Sequence, residues 1–225
     1  MIEIKNLYKI YNQGKPNEFT ALKDVSLSVP KGQFLAVTGK SGAGKSTFMN
    51  ITACLDTPTS GQVIIDGTDL SSAGEKQRAE FRKDKLGIVT QAPMLIEELS
   101  AIENVKVAFY LLRAKREQRN VSAANLLKSV GLGDRIGQKV STLSGGEKQR
   151  VSIARALAGN PCVILADEPT GNLDSKNAKT VFRILKNVAE QGITVIMVTH
   201  DGELASECDR VVEIADGQIV SDSTK

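Results

Sequence analysis

A glycine-rich segment that ends in a lysine and a serine is where residue types and spacing most clearly predict chemistry. The segment runs from Gly39 to Ser46 and follows the pattern G-x-x-x-x-G-K-[ST]. Glycines let the backbone curl until successive N–H groups converge on phosphate oxygens, while Lys45 adds a cation and Ser46 offers a hydroxyl to a divalent metal ion. The predicted phosphate and nucleotide contacts are Gly39, Lys40, Ser41, Gly42, Ala43, Gly44, Lys45, Ser46 and Thr47.

The elements on either side of this segment support a phosphate-binding loop over a simple glycine turn. An apolar run at 34–37 predicts a strand that enters the loop, and residues 45–53 predict a helix that leaves it. The alternative is a strand-to-helix turn whose lysine and serine are incidental. The strand-loop-helix context is the one that a phosphate-binding loop requires, so we favour that interpretation.

An acidic pair follows a second apolar run. Residues 162–166 predict a parallel strand buried on both faces, and Asp167 and Glu168 come directly after it. Because the chain bends at a strand end, Asp167 can reach a Mg²⁺ ion while Glu168 addresses the γ-phosphate side. The alternative is an acidic turn before Pro169, which the preceding phosphate loop makes less attractive.

Composition favours a single α/β domain, or one domain that carries a subdomain. The chain has 225 residues, 41% of them hydrophobic, and a net charge of +3, which is too small to indicate nucleic-acid binding. Its three cysteines are widely spaced and suit a reducing cytoplasm better than a disulfide framework. No run approaches the roughly 18 apolar residues of a membrane span, so any membrane work requires another chain.

The sequence changes to helical periodicity between about 91 and 158, where we expect a helical subdomain. Its basic cluster at 113–119 is interpreted as a solvated helix end, with contact to anionic lipid as the alternative. Further along, Ser144 and Glu147 form a predicted capping box at the start of a helix. Gly145 and Gly146 follow the cap and expose backbone N–H groups, which predicts a second anion site.

The run Leu-Ser-Gly-Gly-Glu-Lys-Gln at 143–149, between the two motifs above, resembles the signature of ATP-binding cassette (ABC) ATPases. The resemblance covers nearly the whole chain. Tyr11 resembles the aromatic residue that stacks on adenine, and Gln91 resembles the glutamine of the Q-loop. Asp174, in Asn-Leu-Asp, resembles the D-loop aspartate, and His200, the only histidine, resembles the switch histidine.

This resemblance implies a P-loop NTPase of the α/β class, with a mainly parallel core sheet, an antiparallel N-terminal β subdomain and an inserted α-helical subdomain. Residues 1–225 would form one ABC ATPase domain, with 1–90 and 159–225 as the catalytic core and about 91–158 as the helical signature subdomain. It also implies ATP and Mg²⁺ as ligands. Ser46, Gln91 and Asp167 would serve the metal ion.

A head-to-tail homodimer is implied as well, in which each ATP lies between the phosphate loop of one chain and Ser144, Gly145, Gly146 and Glu147 of the other. Glu168 would polarise the attacking water, and His200 would link the γ-phosphate to Glu168 and to Asp174 of the second chain. Gln91 and Lys45 complete the predicted catalytic set. ATP binding would close the dimer and hydrolysis would reopen it.

Within the family, the runs at 50–56, 58–61 and 99–105 most resemble the branch that serves lipoprotein release, macrolide export and peptide-antibiotic resistance. The implied partner is a separate integral-membrane permease, and the implied location is the cytoplasmic side of the membrane. Lys40 replaces a frequent proline, and Ala92-Pro93 follows Gln91 where an aromatic residue is usual. A cell-division ATPase of this branch and a soluble ABC ATPase acting on nucleic acid or ribosomes remain alternatives.

Overall fold

The structure, a computed structural model, describes residues 1–112 and 116–224. The side chains of the predicted basic cluster lie outside the described residues; they are Arg113, Lys115, Arg116 and Arg119.

In the described part of the chain, ten strands form two sheets. The strands are β1 (Ile2–Tyr11), β2 (Phe19–Val29), β3 (Phe34–Thr38), β4 (Ser60–Ile65), β5 (Thr68–Asp69), β6 (Leu86–Val89), β7 (Val163–Asp167), β8 (Thr194–Val198), β9 (Arg210–Ala215) and β10 (Gln218–Thr224). The first sheet is antiparallel, with the order β2-β1-β4-β5. The second has the order β10-β9-β3-β8-β7-β6, in which β9, β3, β8, β7 and β6 are parallel and β10 is antiparallel.

Helices occupy the connections between these strands. Within the described residues they are α1 (Lys45–Thr52), α2 (Glu75–Lys85), α3 (Ala101–Leu111), α4 (Arg116–Ser129), α5 (Gly145–Ala156), α6 (Ser175–Glu190) and α7 (Gly202–Ser206). The chain forms α3, α4 and α5 between β6 and β7. The mainly parallel sheet, the antiparallel N-terminal sheet and the inserted helices confirm the predicted fold class, while the subdomain boundaries stay a prediction.

The central strand β3 is held by two hydrophobic cores, one on each face of the parallel sheet. Leu35 and Val37 pack with the N-terminal sheet and α1, whereas Phe34 and Ala36 pack on the opposite face with α3 to α6. Phe34 also stacks on Phe182 of α6, with ring centroids 5.2 Å apart. Each buried Val, Leu or Phe side chain contributes roughly 1.5–3 kcal/mol, which fixes the strand that enters the phosphate loop.

The carboxyl ends of the parallel strands place four functional segments along one edge of the sheet. Strand register pairs Val37 of β3 with Val198 of β8, and Val198 with Asp167 of β7. The phosphate loop, the His200 segment, the acidic pair and Gln91 therefore follow neighbouring strands in the order β3, β8, β7, β6. Ligands bind outside this edge in open α/β sheets.

Candidate nucleotide-binding and hydrolysis site

The phosphate loop adopts the curled backbone that its glycines predict. Gly39, Gly42 and Gly44 all have positive φ angles, of 139°, 78° and 108°. A Cβ atom added to Gly39 would lie 2.1 Å from the carbonyl oxygen of Ile214 in β9, so the close approach of two backbones also requires glycine there. The Lys45 ammonium donates to the carbonyl oxygens of Gly39 (2.7 Å) and Lys40 (2.8 Å), which holds the cation inside the loop.

A cavity of about 460 Å³ lies over this loop and collects side chains from three strand ends. Most of the predicted phosphate contacts line it, as do Asp167, Glu168 and His200. The lining residues from the phosphate loop are Gly39, Ser41, Gly42, Gly44, Lys45, Ser46 and Thr47. The structure thus brings together a phosphate cradle, a cation, two carboxylates and an imidazole in one cavity.

The acidic pair at the end of β7 is electrostatically strained. Partial burial raises the pKa of Asp167, the neighbouring Glu168 carboxylate raises it further, and the Lys45 ammonium lowers it. A carboxylate in this setting gains from a nearby cation. Together with the Ser46 hydroxyl in the same cavity it forms a hard oxygen donor set of the kind that Mg²⁺ prefers, so the residues present fit that ion.

Gln91, the third predicted metal contact, is exposed and does not line the described part of this cavity. Its amide nitrogen lies 3.4 Å from Oδ1 of Asn172 in the segment that follows the acidic pair. A Cβ atom on Gly171 would lie 3.0 Å from that nitrogen and 3.3 Å from Oε2 of Glu168. Gln91 therefore lies near Glu168, on the opposite side of the acidic pair from β8.

Glu168 and His200 form a pair beside the cavity. Nδ1 of His200 is 3.5 Å from Oε2 of Glu168, and the imidazole is 67% exposed, whereas Glu168 is 28% exposed. Glu168 has a φ of 44°, an uncommon angle for a residue other than glycine, and its N–H donates to the Val198 carbonyl oxygen. Such outliers cost of order 1–3 kcal/mol and concentrate at functional sites. The left-handed turn directs Glu168 away from the line of β7 and into the cavity.

The signature segment has the predicted local structure. Ser144 caps α5, and both halves of the capping box with Glu147 are present. The hydrogen bond from the Ser144 N–H lowers the pKa of Glu147 despite partial burial, as do the Ser144 hydroxyl and Arg135. Ser144 and Gly145 are exposed, and Gly146 is buried against Asn177. Among the residues described, none of the four lines the cavity over the phosphate loop of this chain.

Asp174, the predicted D-loop aspartate, caps α6. Its side chain accepts from the N–H groups of Lys176 and Asn177 and from the Asn177 amide. Those hydrogen bonds, chiefly to Asn177, lower the pKa of Asp174. Because Asn177 also packs on Gly146, the cap ties the D-loop to the signature helix of the same chain.

Two aromatic residues pair where β1 ends and β2 begins, and of these two Phe19 lines the described cavity whereas Tyr11 does not. Tyr11, the predicted base contact, ends β1 and pairs in register with Phe19 of β2. Phe19 is 57% exposed and lines the cavity, whereas the Tyr11 hydroxyl is bound to Asp56 at 2.9 Å. Phe19 is not among the nucleotide contacts that the sequence predicts. The signal that could have found it is an apolar residue at the start of a strand directly opposite Tyr11 across a hairpin.

A curled phosphate loop on β3, an acidic pair at the end of β7 and an imidazole after β8, the strand between them, define a P-loop nucleoside triphosphatase. The sequence profile of the ABC transporter family matches residues 22–171. The chain belongs to that family, and it is an ATPase with ATP as its ligand.

Individual relatives agree with the family match. The chain is 48% identical over 220 residues to the ABC transporter ATP-binding protein MJ1508 of Methanocaldococcus jannaschii, covering 98% of both sequences. It is 45% identical to the macrolide export ATP-binding/permease protein MacB of Aggregatibacter actinomycetemcomitans, where it covers all of this chain but only 35% of MacB. A dimeric structure of the cassette MJ0796 with ADP and Pi superposes with a TM-score of 0.89 at 40% identity, covering 100% of this chain and 98% of that one.

Proposed function

We propose that two copies of this chain bind two ATP molecules between them and use ATP hydrolysis to drive a separate membrane permease. The observation that carries the proposal is that the two predicted anion sites are apart: among the described residues, none of the signature residues at the start of α5 lines the cavity over the phosphate loop. The first N–H groups of a helix have no partner inside the helix, so those of Gly145 and Gly146 are suited to phosphate oxygens. A cassette relative that is dimeric with ADP and Pi bound supports the dimer part of the proposal.

The residues around the cavity have distinct proposed roles. The loop N–H groups and Lys45 bind and orient the triphosphate, and Tyr11 stacks on the base. Glu168 accepts the proton of the attacking water. His200, which lies close to Glu168, orients the Glu168 carboxylate and stabilises charge on the γ-phosphate. Mg²⁺, held by Ser46 and Asp167, would supply charge neutralisation on the phosphate oxygens. Gln91 connects this centre to the surface that faces the permease.

A membrane partner is proposed from the relatives. MacB, by its name, joins an ATP-binding part to a permease part for macrolide export, and the present chain matches 35% of it. None of the helices in the described part of this chain has both the length and the apolar character of a transmembrane segment. From the resemblance to the ABC transporter family we propose that the permease is a separate chain, that the ATPase is peripheral on the cytoplasmic face, and that the system exports or extracts a lipoprotein, drug or peptide.

The test uses a hydrolysis-deficient variant to hold the assembly together. Tagged Glu168→Gln is expressed in the native host, membranes are solubilised with ATP and Mg²⁺, and co-purifying chains are identified by mass spectrometry, with Lys45→Ala as the control that cannot hold the nucleotide. A stoichiometric polytopic protein captured by Glu168→Gln and not by Lys45→Ala supports the proposal. If that protein belongs to a division complex, the export assignment is wrong; soluble ribosomal or nucleic-acid partners would overturn the membrane role altogether.

A further inference from the structure

Behind Tyr11 lies a charged cluster that the hydrolysis reaction does not use. Lys9 precedes Tyr11 by two residues on β1 and is 9% exposed, which is unusual for a lysine. Its ammonium donates to Oδ1 of Asp56 at 2.6 Å and to the Thr57 carbonyl oxygen at 2.7 Å. A buried ammonium needs such partners, because taking it out of water costs several kcal/mol.

The same cluster holds the Tyr11 ring from two directions. The Lys9 ammonium lies over the ring, 4.8 Å from its centroid. The Tyr11 hydroxyl donates to Oδ2 of Asp56 at 2.9 Å. One carboxylate thus binds both the cation on the ring face and the hydroxyl of the ring. The ring cannot swing out without breaking a charge-assisted hydrogen bond, and it cannot turn edge-on about its own axis without losing the contact with the Lys9 ammonium.

Hydrogen bonds within this cluster favour the ionised form of Asp56. Partial burial alone would raise the pKa of Asp56, but hydrogen bonds from Lys9, the Thr57 N–H and Tyr11 hold it below its ordinary value. Burial raises the pKa of Tyr11, a hydrogen bond with Thr47 lowers it, and Asp56 raises it again. The phenol therefore stays a neutral donor. Thr47 belongs to the phosphate-loop helix and lines the cavity.

We propose that Lys9 and Asp56 are positioning residues that fix the Tyr11 ring for a nucleotide base and thereby set the share of ATP affinity that comes from the base. The proposal rests on the base contact assigned to Tyr11 under the proposed function. Lys9 lies over one face of the ring, so the proposal assigns the base to the other face. A ring held in place before binding loses less conformational freedom when a base stacks on it than a free ring does.

The test separates base affinity from phosphate affinity. Binding of ATP and of inorganic tripolyphosphate, both with Mg²⁺, is measured by calorimetry for the wild type and for Lys9→Met, Asp56→Asn, Tyr11→Phe and Tyr11→Ala. Asp66→Asn is the matched control, because Asp66 binds Lys85 in a similar pair (2.9 Å) at a turn of the N-terminal sheet. Because one aromatic side chain stacks on the base, Tyr11→Ala is expected to lower the affinity for ATP about tenfold or more.

We expect a smaller loss, roughly 3- to 10-fold in the affinity for ATP, in Lys9→Met, Asp56→Asn and Tyr11→Phe, because each variant frees a ring that can still stack on the base. Tripolyphosphate affinity should stay unchanged in all of them, which also reports an intact phosphate loop, and Asp66→Asn should change neither ligand. If Tyr11→Ala lowers the ATP-to-tripolyphosphate ratio but Lys9→Met and Asp56→Asn do not, the positioning role is wrong. Equal weakening of both ligands would also overturn it, in favour of general support of the loop. An unchanged ratio in Tyr11→Ala would instead refute the base contact itself.

Discussion

Replacing Gly39 by alanine tests whether the phosphate loop depends on the backbone contact with β9. The new Cβ would lie 2.1 Å from the Ile214 carbonyl oxygen, so one of the two backbones must move by about 1 Å to reach even 3.0 Å. Overpacking of this kind costs roughly 1–3 kcal/mol, and a non-glycine residue at a φ of 139° costs a further ~1–3 kcal/mol. The expected destabilisation is therefore about 2–6 kcal/mol.

Gly42→Ala provides the matched control in the same loop. Gly42 also has a positive φ, of 78°, but a Cβ there would meet nothing within 4 Å. Its cost is the conformational strain alone, about 1–2 kcal/mol. In a domain of this size each kcal/mol shifts Tm by roughly 2–4 °C, so Gly39→Ala should melt well below Gly42→Ala.

The assay is thermal unfolding followed by circular dichroism without nucleotide, together with ATP titration of each folded variant. We expect Gly39→Ala to lose ATP affinity as well, because a shift of this size moves the converging N–H groups. Equal Tm values for the two variants would refute the contact between Gly39 and Ile214, since the calculated difference comes almost entirely from that contact.

Three further changes have defined outcomes. Burial and an adjacent carboxylate raise the pKa of Asp167 in the folded protein above 3.8, so the folded state binds the carboxyl proton more tightly than the unfolded state and loses stability as pH rises above 3.8. Asp167→Asn should therefore raise Tm at pH 7. In thermal unfolding at a series of pH values, the difference in Tm from the wild type should shrink below about pH 4. A Cβ on Gly146 would lie 2.4 Å from Oδ1 of Asn177, whereas one on Gly145 would make only ordinary contact at 3.6 Å. Gly146→Ala should therefore be less stable than Gly145→Ala by about 1–3 kcal/mol, which thermal unfolding would show as a Tm several °C lower. His200→Ala should lower the rate of phosphate release by about 10²-fold or more and leave the ATP affinity in equilibrium binding little changed, because the imidazole acts together with the Glu168 carboxylate in the hydrolysis step. A matching loss of ATP affinity would contradict that role.

Local patterns were sufficient to predict the loop, the strand ends and the caps. The spacing of Gly39, Lys45 and Ser46 specifies a strand-loop-helix unit, and an apolar run buried on both faces has to end where Asp167 begins. The capping box at Ser144 needs only residues three apart. In each case the interacting residues are only a few positions apart, so the local sequence alone is sufficient to predict the interaction.

Long-range contacts could not be predicted in the same way. Hydrophobic periodicity does not reveal that the strand before His200 lies between the other two strands of the site. Lys9 and Asp56 are 47 residues apart, and Lys9 faces inward because an irregularity of β1 between Ile4 and Leu7 moves the buried positions from even to odd residue numbers. Phe19 reaches the cavity through its pairing with Tyr11 across the hairpin, a register that the seven loop residues at 12–18 do not fix on their own.

Sedimentation of Glu168→Gln with and without ATP and Mg²⁺ tests most directly whether the site is shared between two chains. With a chain mass of 24.1 kDa, the variant should sediment as a monomer without ATP and as a dimer of twice that mass with it. Adding Ser144→Arg to the same variant, which fills the exposed signature N-terminus but leaves the phosphate loop intact, should abolish the dimer and keep ATP binding. A Glu168→Gln protein that binds ATP and remains monomeric would contradict the shared site.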